Sequence, residues 1–473
     1  MTHQGRNTRN GVAAVAVTLM LAVSALAHDS EKVLHAFAGN HDGVEGGNHL
    51  VADSAGNLYG TTFGGGNQST SCEVFTGFVG CGVVFELSPR EHGQWTERVL
   101  YAFTGGADGG VPTGGVILDS AGNLYGTTLF GGDKKPQNCQ AVGTYAAGCG
   151  VVFMLTPTAH GPWKETALYT FTGGADGSEP WGNPVLDSSG DLYGMTNIGG
   201  ANSSCGPPYG CGVVFKLTPA AEGPWTESVL DTFSGGSDGA YPFGDGLTFD
   251  SQGNLYGVTD YGGDTSVICN GTPGCGVAFQ LAPTPGGPWT ETVLHAFTGG
   301  TDGGLPLAAL ILDSGGNVYG ATSFGGDTAG NNCLGTIPGC GVVFKLTQGT
   351  WEETVLYTFT GGEDGTIPLT PVVLDALGNL YGVTTNGGGS ARCSNGCGTV
   401  FKLTPTNEGP WNESILYAFR GGIDGRIPQS NLLLEGDGEK IFGVTNYGGD
   451  DSCDSPYGCG VVFELQPPSN ALF

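Results

Sequence analysis

Asp119-Ser120-Ala121-Gly122-Asn123-Leu124-Tyr125-Gly126-Thr127-Thr128 is the stretch whose reading decides the fold. Asx side chains and Gly suit the special backbone angles of a hairpin turn, and residues 124–128 read as the strand that leaves it. The Tyr-Gly pair in this stretch returns at Tyr59, Tyr193, Tyr256, Tyr319 and Tyr381, with Phe442-Gly443 as the last of seven copies. Successive copies lie 61–68 residues apart. Self-similarity at such a period marks a repeat architecture.

Outward from the pair, each unit runs Leu-x-x-Phe, Gly-Gly-x-Asp-Gly-x-x-Pro, an apolar run, the turn and its strand, a Gly-Gly loop, Cys-Gly-Val-Val-Phe-x-Leu and Trp-x-Glu. The match covers nearly all of residues 31–467. The second unit has four strand-like stretches, at 116–119, 124–128, 151–155 and 163–171. Val213, Phe215 and Leu217 fall at period two. Val214 is apolar as well, which predicts burial on both faces, as in a sheet packed between two others. Four short strands repeated seven times predict an all-β, seven-bladed β-propeller of four-stranded antiparallel blades. Residues 33–37 match the last strand of a unit, and residues 461–465 match a third strand with no fourth after it. The N-terminal strand, 31–38, is therefore expected to complete blade seven and close the ring.

Composition agrees. The 473 residues include 90 Gly and 26 Pro, which disfavours helices. The Gly lacks the three-residue period of collagen, and 10% aromatic with only 12% charged residues is not the signature of disorder. The net charge is −29. Such a surface repels phosphate backbones and anionic headgroups, so no nucleic-acid partner is expected, and no run beyond the first 27 residues is long and apolar enough for membrane insertion. Arg6 and Arg9 before the apolar stretch 11–26, then Ala25-Leu26-Ala27, predict a signal peptide over residues 1–27. The expected organisation is a propeller over 28–468 with a short tail at 469–473, secreted to the periplasm or beyond, and monomeric.

The repeat resembles the GloVer-type tandem repeats of exported bacterial proteins, whose signature is close to Leu-Tyr-Gly-Thr-Thr, Gly-Gly, then Gly-Thr-Val-Phe-x-Leu. Residues 58–62 and 398–403 match it best, and the resemblance extends over all seven units. It implies a β-propeller and carries no defined activity. Such proteins often end in a sorting segment. No apolar span or basic tail follows Pro467-Pro468 here, so that mode of anchoring is not expected.

Fourteen Cys fall two to a unit, as Cys72 and Cys81, Cys139 and Cys149, Cys205 and Cys211, Cys269 and Cys275, Cys333 and Cys340, Cys393 and Cys397, Cys453 and Cys459. In an exported protein these read as seven local disulfides. Phe to the Asp of the Gly-Gly-x-Asp turn is always 5 residues, whereas Tyr (or Phe442) to the second Cys ranges from 16 to 24. Length variation is thus concentrated in the Cys-bearing loop, which shares a propeller face with the Gly-Gly-x-Asp-Gly connection. Variable loops on a rigid scaffold usually carry binding, so this stapled face is the candidate functional face.

Asp42, Asp108, Asp176, Asp238, Asp302, Asp364 and Asp424 lie on that face. Seven loop carboxylates are candidate Ca²⁺ ligands, calcium being the one cofactor in view. The plainer reading is that each caps its own turn. The repeat Trp residues read as packing, but Trp181 falls outside their register, just after the Asp176 turn. With Tyr209, Tyr241, Phe243, Tyr261 and Tyr457 it forms a set of candidate ligand-binding aromatics, since neutral glycans stack on aromatic faces. No nucleophile elbow, phosphate loop or metal motif occurs, and no catalytic residue is named. The expected function is a binding or interaction module for a glycan or an extracellular protein. The alternative is a carbohydrate-active lyase or glycosidase using carboxylates of the same face.

Overall fold

The computed structural model describes residues 30–467 apart from 40, 48, 68–71, 73–78, 133–138, 140–147, 160–161, 203, 207–209, 221–222, 245, 327–332, 334–337, 408, 450–452 and 454–456. The expected signal peptide (1–27), the tail (469–473) and Tyr209 lie outside the described residues. Seven antiparallel sheets follow one another along the chain as the blades of a β-propeller. In blade two the order is Ile117–Leu118, Leu124–Thr128, Val151–Thr156 and Lys164–Thr170. Blades one and seven have the same plan with the innermost strand broken in two, as Val44–Gly46 with Val51–Ala52 and Arg426–Pro428 with Leu433–Glu435.

The ring closes through its two ends. Ser30–Ala36 pairs antiparallel with Val461–Gln466, with Glu31 opposite Leu465 and Ala36 opposite Val461. The N-terminal strand is therefore the fourth strand of blade seven. Among the described residues, no helix is long and apolar enough to cross a membrane.

The motifs explain the packing. Third strands such as Val213–Thr218 bury both faces, as their unbroken apolar run predicts. The Phe of Val-Val-Phe reaches across to the Gly of Tyr-Gly on the second strand. A Cβ on Gly60 would lie 2.7 Å from the Phe85 ring, so only Gly fits there. The same Phe meets the Leu-x-x-Phe aromatic of the preceding blade edge to face. Phe37–Phe85, Phe103–Phe153, Phe233–Phe279 and Phe419–Phe463 have centroids 5.3, 5.0, 5.3 and 5.2 Å apart, and Phe171–Phe215, Phe297–Phe344 and Phe359–Phe401 complete the set. One pair spans each of the seven seams, and each contributes about 0.5–1.5 kcal/mol beyond its area burial.

Farther out, the repeat Trp packs against the Tyr of the preceding blade. Trp163 tilts over Tyr59 at 6.3 Å and Trp225 over Tyr125 at 6.2 Å, while Trp95 meets Phe442 at the closing seam. That assigns these Trp residues to packing. The Tyr hydroxyl is held in turn by the Asp of the hairpin. Asp119 accepts from the Ala121 and Asn123 N–H groups at 2.9 and 2.8 Å, the Asn123 amide at 2.8 Å and the Tyr125 hydroxyl at 3.0 Å.

Candidate functional site

All seven predicted disulfides form, each within its own unit. This is the chemistry of an oxidising compartment, not of the cytoplasm. Each staple lies under the connection to the next blade. A Cβ on Gly299 would come 2.8 Å from Cys269 Sγ and 3.0 Å from Cys275 Sγ, so the disulfide and the Gly-Gly turn touch. The loop and the connection therefore share one face, as the spacing predicts.

In the same connection each Asp is committed to its own turn. Asp108 Oδ2 accepts from the Thr104 N–H at 2.9 Å and the Tyr101 hydroxyl at 3.1 Å, while Oδ1 takes the Thr104 hydroxyl and the Gly106 N–H. Asp176 and Asp364 repeat this pattern, and in Asp42 and Asp302 a His replaces the Tyr as partner. Asp238 is held by Ser234, and Asp424 by Tyr417 and Arg420. The structure does not bring these carboxylates together. Among the described residues, no three His, Cys, Asp or Glu side chains are grouped so as to hold a metal ion.

Just beyond each turn the chain does something that its sequence does not announce. Glu45, Val111, Glu179, Tyr241, Leu305, Ile367 and Ile427 occupy the same position in the seven units, and all have φ between 54° and 59°. Left-handed backbone is costly for bulky and β-branched side chains, about 1–3 kcal/mol each, and persists only where the surroundings impose it. Here the imposing bond is identifiable. The N–H of each residue donates to the carbonyl of the second Cys in the preceding blade, as in Val111 to Cys81 at 2.8 Å and Leu305 to Cys275 at 2.9 Å. The disulfide-bonded Cys thus anchors the entry to the next blade's first strand.

The residues that follow meet around the propeller axis. The Gly114 backbone lies against Gly182, Asn183 bridges Gly246, Gly244 approaches Leu307, and Asn431 bonds His49 Nδ1 at 3.0 Å. Five of the seams between neighbouring blades are bridged this way, with Gly115 on His49 as the fifth contact. Buried side-chain oxygens without a hydrogen-bond partner collect on the same segments. Four lie on or just before the innermost strands, on Thr113, Asn183, Thr370 and Asn431, and three at the ends of second strands, on Asp260, Ser323 and Asn446. Burial holds the Asp260 carboxyl well above the ordinary range and pushes His49 down to about 4.

The predicted aromatics divide into three groups. Trp181 and Phe243 stack at 4.1 Å with 29° between their planes, and both are half-buried. They hold the same position of consecutive blades, each directly after the Pro that follows the left-handed residue. Trp181 therefore has a counterpart in the next unit, which the shared Pro-aromatic-Gly of 180–182 and 242–244 could have revealed. Tyr241 and Tyr261 pack edge to face at 6.1 Å in the seam between blades three and four, where the Tyr241 hydroxyl donates to the Cys205 carbonyl at 2.9 Å. Tyr457 stands apart in blade seven, exposed, with the Arg426 guanidinium 4.5 Å from its ring. The sequence reading passed over the polar position four residues past the Tyr-Gly aromatic, which holds Asp260, Ser323 and Asn446.

The Gloeobacter/Verrucomicrobia repeat family model matches residues 72–337 and 331–473. The chain belongs to that family, as its repeat predicts. No curated protein matches it in sequence. Among solved structures the likeness is distant. An aldose sugar dehydrogenase from Streptomyces coelicolor is 12% identical, with TM-score 0.41 over 75% of this chain and 93% of that one. A Trichoderma reesei protein of carbohydrate-active enzymes family AA12 is 14% identical, with TM-score 0.41 over 93% and 95%. A gluconolactonase from Xanthomonas campestris is 12% identical, with TM-score 0.39 over 93% and 90%.

Proposed function

We propose that this member of the Gloeobacter/Verrucomicrobia repeat family is an exported binding module for neutral glycans, with the disulfide-stapled face as its binding face. The observation that carries the reading is the Trp181–Phe243 stack. Two large aromatic rings, half-exposed, stack face on face just after the disulfide-anchored entries to two blades, each leaving one ring face uncovered by the other. Apolar ring faces of that kind suit the C–H faces of sugars. Anchoring limits motion before binding, so less ordering cost accompanies association. A net charge of −29 favours neutral over anionic chains. The turn carboxylates are engaged in their own connections, which weighs against the lyase or glycosidase alternative.

The test is a glycan array of the oxidised protein, with product analysis of every hit. Trp181→Ala and Phe243→Ala should each weaken the best hit by about 1–3 kcal/mol, with no product formed. Full retention of binding in both variants would remove the aromatic pair from the site. Turnover that depends on one carboxylate would make the protein an enzyme.

A further inference from the structure

The connection into blade seven departs from the repeat at three positions, all within residues 420–426. The residue after the Leu-x-x-Phe aromatic is Thr, Ser or Ala in the other six units and Arg420 here. The residue before the turn Asp is Ala, Ser, Thr, His or Glu elsewhere and Ile423 here. The residue after Asp-Gly is Gly, Ser, Ala, Thr or Val elsewhere and Arg426 here. Arg420 keeps the turn Asp bonded, its Nε donating to Asp424 at 3.1 Å where Thr172 gives its hydroxyl to Asp176. In doing so it sets a guanidinium largely in solvent. Ile423 stands 78% exposed on the same turn.

Both flanks extend this corner. On the blade-six side, Arg392 belongs to the loop closed by Cys393 and Cys397, and its Nη1 lies 2.5 Å from where a Cβ on Gly422 would stand. Ser390 of that loop donates its hydroxyl to the Arg420 carbonyl at 3.0 Å. On the blade-seven side, the Gly449 N–H donates to the Gly422 carbonyl at 3.0 Å and the Gly448 N–H to the Tyr457 carbonyl at 2.7 Å. The Arg426 guanidinium lies 4.5 Å from the Tyr457 ring, which is 55% exposed. Among the described residues, Arg392, Arg420 and Arg426 are the only Lys or Arg in the stapled loops and the connections leading into the blades. Among them, too, no carboxylate pairs with Arg392 or Arg426, and Arg426 Nε is buried without an acceptor. An acidic protein thus gathers cations around two exposed apolar groups at one corner of its stapled face.

We propose that this corner docks an acidic peptide segment of a second protein, with an apolar side chain between Ile423 and Tyr457 and flanking carboxylates on Arg392 and Arg426. Guanidinium groups hold carboxylates through paired hydrogen bonds, and Arg and Tyr are the side chains that concentrate binding energy at protein interfaces. Nucleic acid and anionic lipid surfaces carry charge well past the corner, where they meet a molecule of net charge −29. A short segment feels mainly the arginines it touches, since screening at physiological salt acts over about 8 Å. The site is separate from that of the glycan reading, whose aromatic pair belongs to blades three and four.

The probes are end-blocked pentapeptides with a central Leu, Phe or Trp between pairs of Asp or Glu, titrated calorimetrically into the oxidised protein at low salt. The controls are the same peptides with Asn and Gln for the acids, or with a central Gly. At least one acidic peptide should bind about tenfold or more tighter than its controls, and its affinity should fall as salt rises. Arg392→Gln combined with Arg426→Thr should weaken it about tenfold or more, and Ile423→Ala about threefold or more. Arg426→Thr and Ile423→Ala restore what other units carry at these positions, as in Thr366 and Ala107, and Arg392 is exposed, so melting temperatures should hold within about 2 °C. Trp181→Ala should bind the peptide as the natural chain does. The proposal is overturned if no acidic peptide exceeds its neutral counterpart, or if the arginine variant binds undiminished. Affinity loss matched by loss of stability overturns it as well, and assigns the arginines to pairing within the chain. Tighter retention of heparin or anionic vesicles, with the same dependence on arginine, would make the corner a polyanion site instead. Peptide binding lost on Trp181→Ala would refute a separate site, whereas the glycan array stands or falls by itself.

Discussion

Raising the pH from 5 to 8 should weaken the seams between blades, and seven glutamates should be responsible. Glu31, Glu97, Glu165, Glu227, Glu291, Glu353 and Glu413 hold one position on the outermost strands, and each has a buried Oε1 without a partner. Across the seam each faces the turn Asp of the preceding blade, as Glu165 faces Asp108 and Glu413 faces Asp364. Burial first, and then that carboxylate, raise Glu165 and Glu413 from 4.5 to about 7, and Glu291, beside both Asp231 and Asp238, to about 8. A carboxyl raised on folding contributes stability that is complete below its unfolded value near 4.5 and is lost as pH climbs through about 7. The nominal cost of such a shift is about 3.4 kcal/mol at 1.36 kcal/mol per unit. These side chains are only half-buried, so solvent screening leaves about 1 kcal/mol each. For a chain of this length 1 kcal/mol corresponds to about 1 °C. His49 opposes the trend, because a His lowered on folding contributes stability above 6.5 that fades as pH falls toward 4. Glu45, Glu179, Asp231 and Asp260 move with the glutamates. A variant with all seven Glu→Gln changes keeps every one of these, so its comparison with the natural chain isolates the ring. Thermal melts followed by circular dichroism should show the variant about 7 °C more stable at pH 8 and indistinguishable at pH 4.5. An equal difference at both pH values would refute the reasoning.

Three further outcomes are expected. Non-reducing peptide mapping should link each Cys only to its near neighbour, such as Cys393 to Cys397, and links between units or free thiols on most pairs would contradict the staple arrangement. Deleting residues 28–38 removes the fourth strand of blade seven and the Phe37 side of its aromatic seam, so the melting temperature should fall sharply; an unchanged melt would show that this strand does not close the ring. Asp119→Ala removes the acceptor for four hydrogen bonds, including that from Tyr125, and should cost about 1–3 kcal/mol by denaturant unfolding, whereas a neutral effect would mean that the hairpin forms without it.

Much of this molecule was legible from its sequence, because the information is local or a matter of counting. The hairpin of 119–123 is specified by residues within five positions of one another, and blade number follows from the seven copies of Tyr-Gly. Closure follows from matching 33–37 to a fourth strand, and the disulfides from two Cys per unit. The burial of both faces of a third strand is written in Val213-Val214-Phe215. Even so, the sequence reading treated Trp181 as isolated, although Pro242-Phe243-Gly244 repeats its setting one unit later. Only the tertiary structure decided which inner side-chain oxygens are buried without partners. Thr113 and Thr370 are single departures from the repeat, while Asn183 recurs at Asn431, and Asp260, Ser323 and Asn446 share the fourth position after the aromatic of the Tyr-Gly pair. What stands opposite them depends on seven left-handed residues whose conformation is imposed by a carbonyl from another blade. A sequence pattern records what each strand buries within its own unit. Which atoms are left without partners depends on what stands opposite after the ring has closed, and in this fold that neighbour is about sixty residues away.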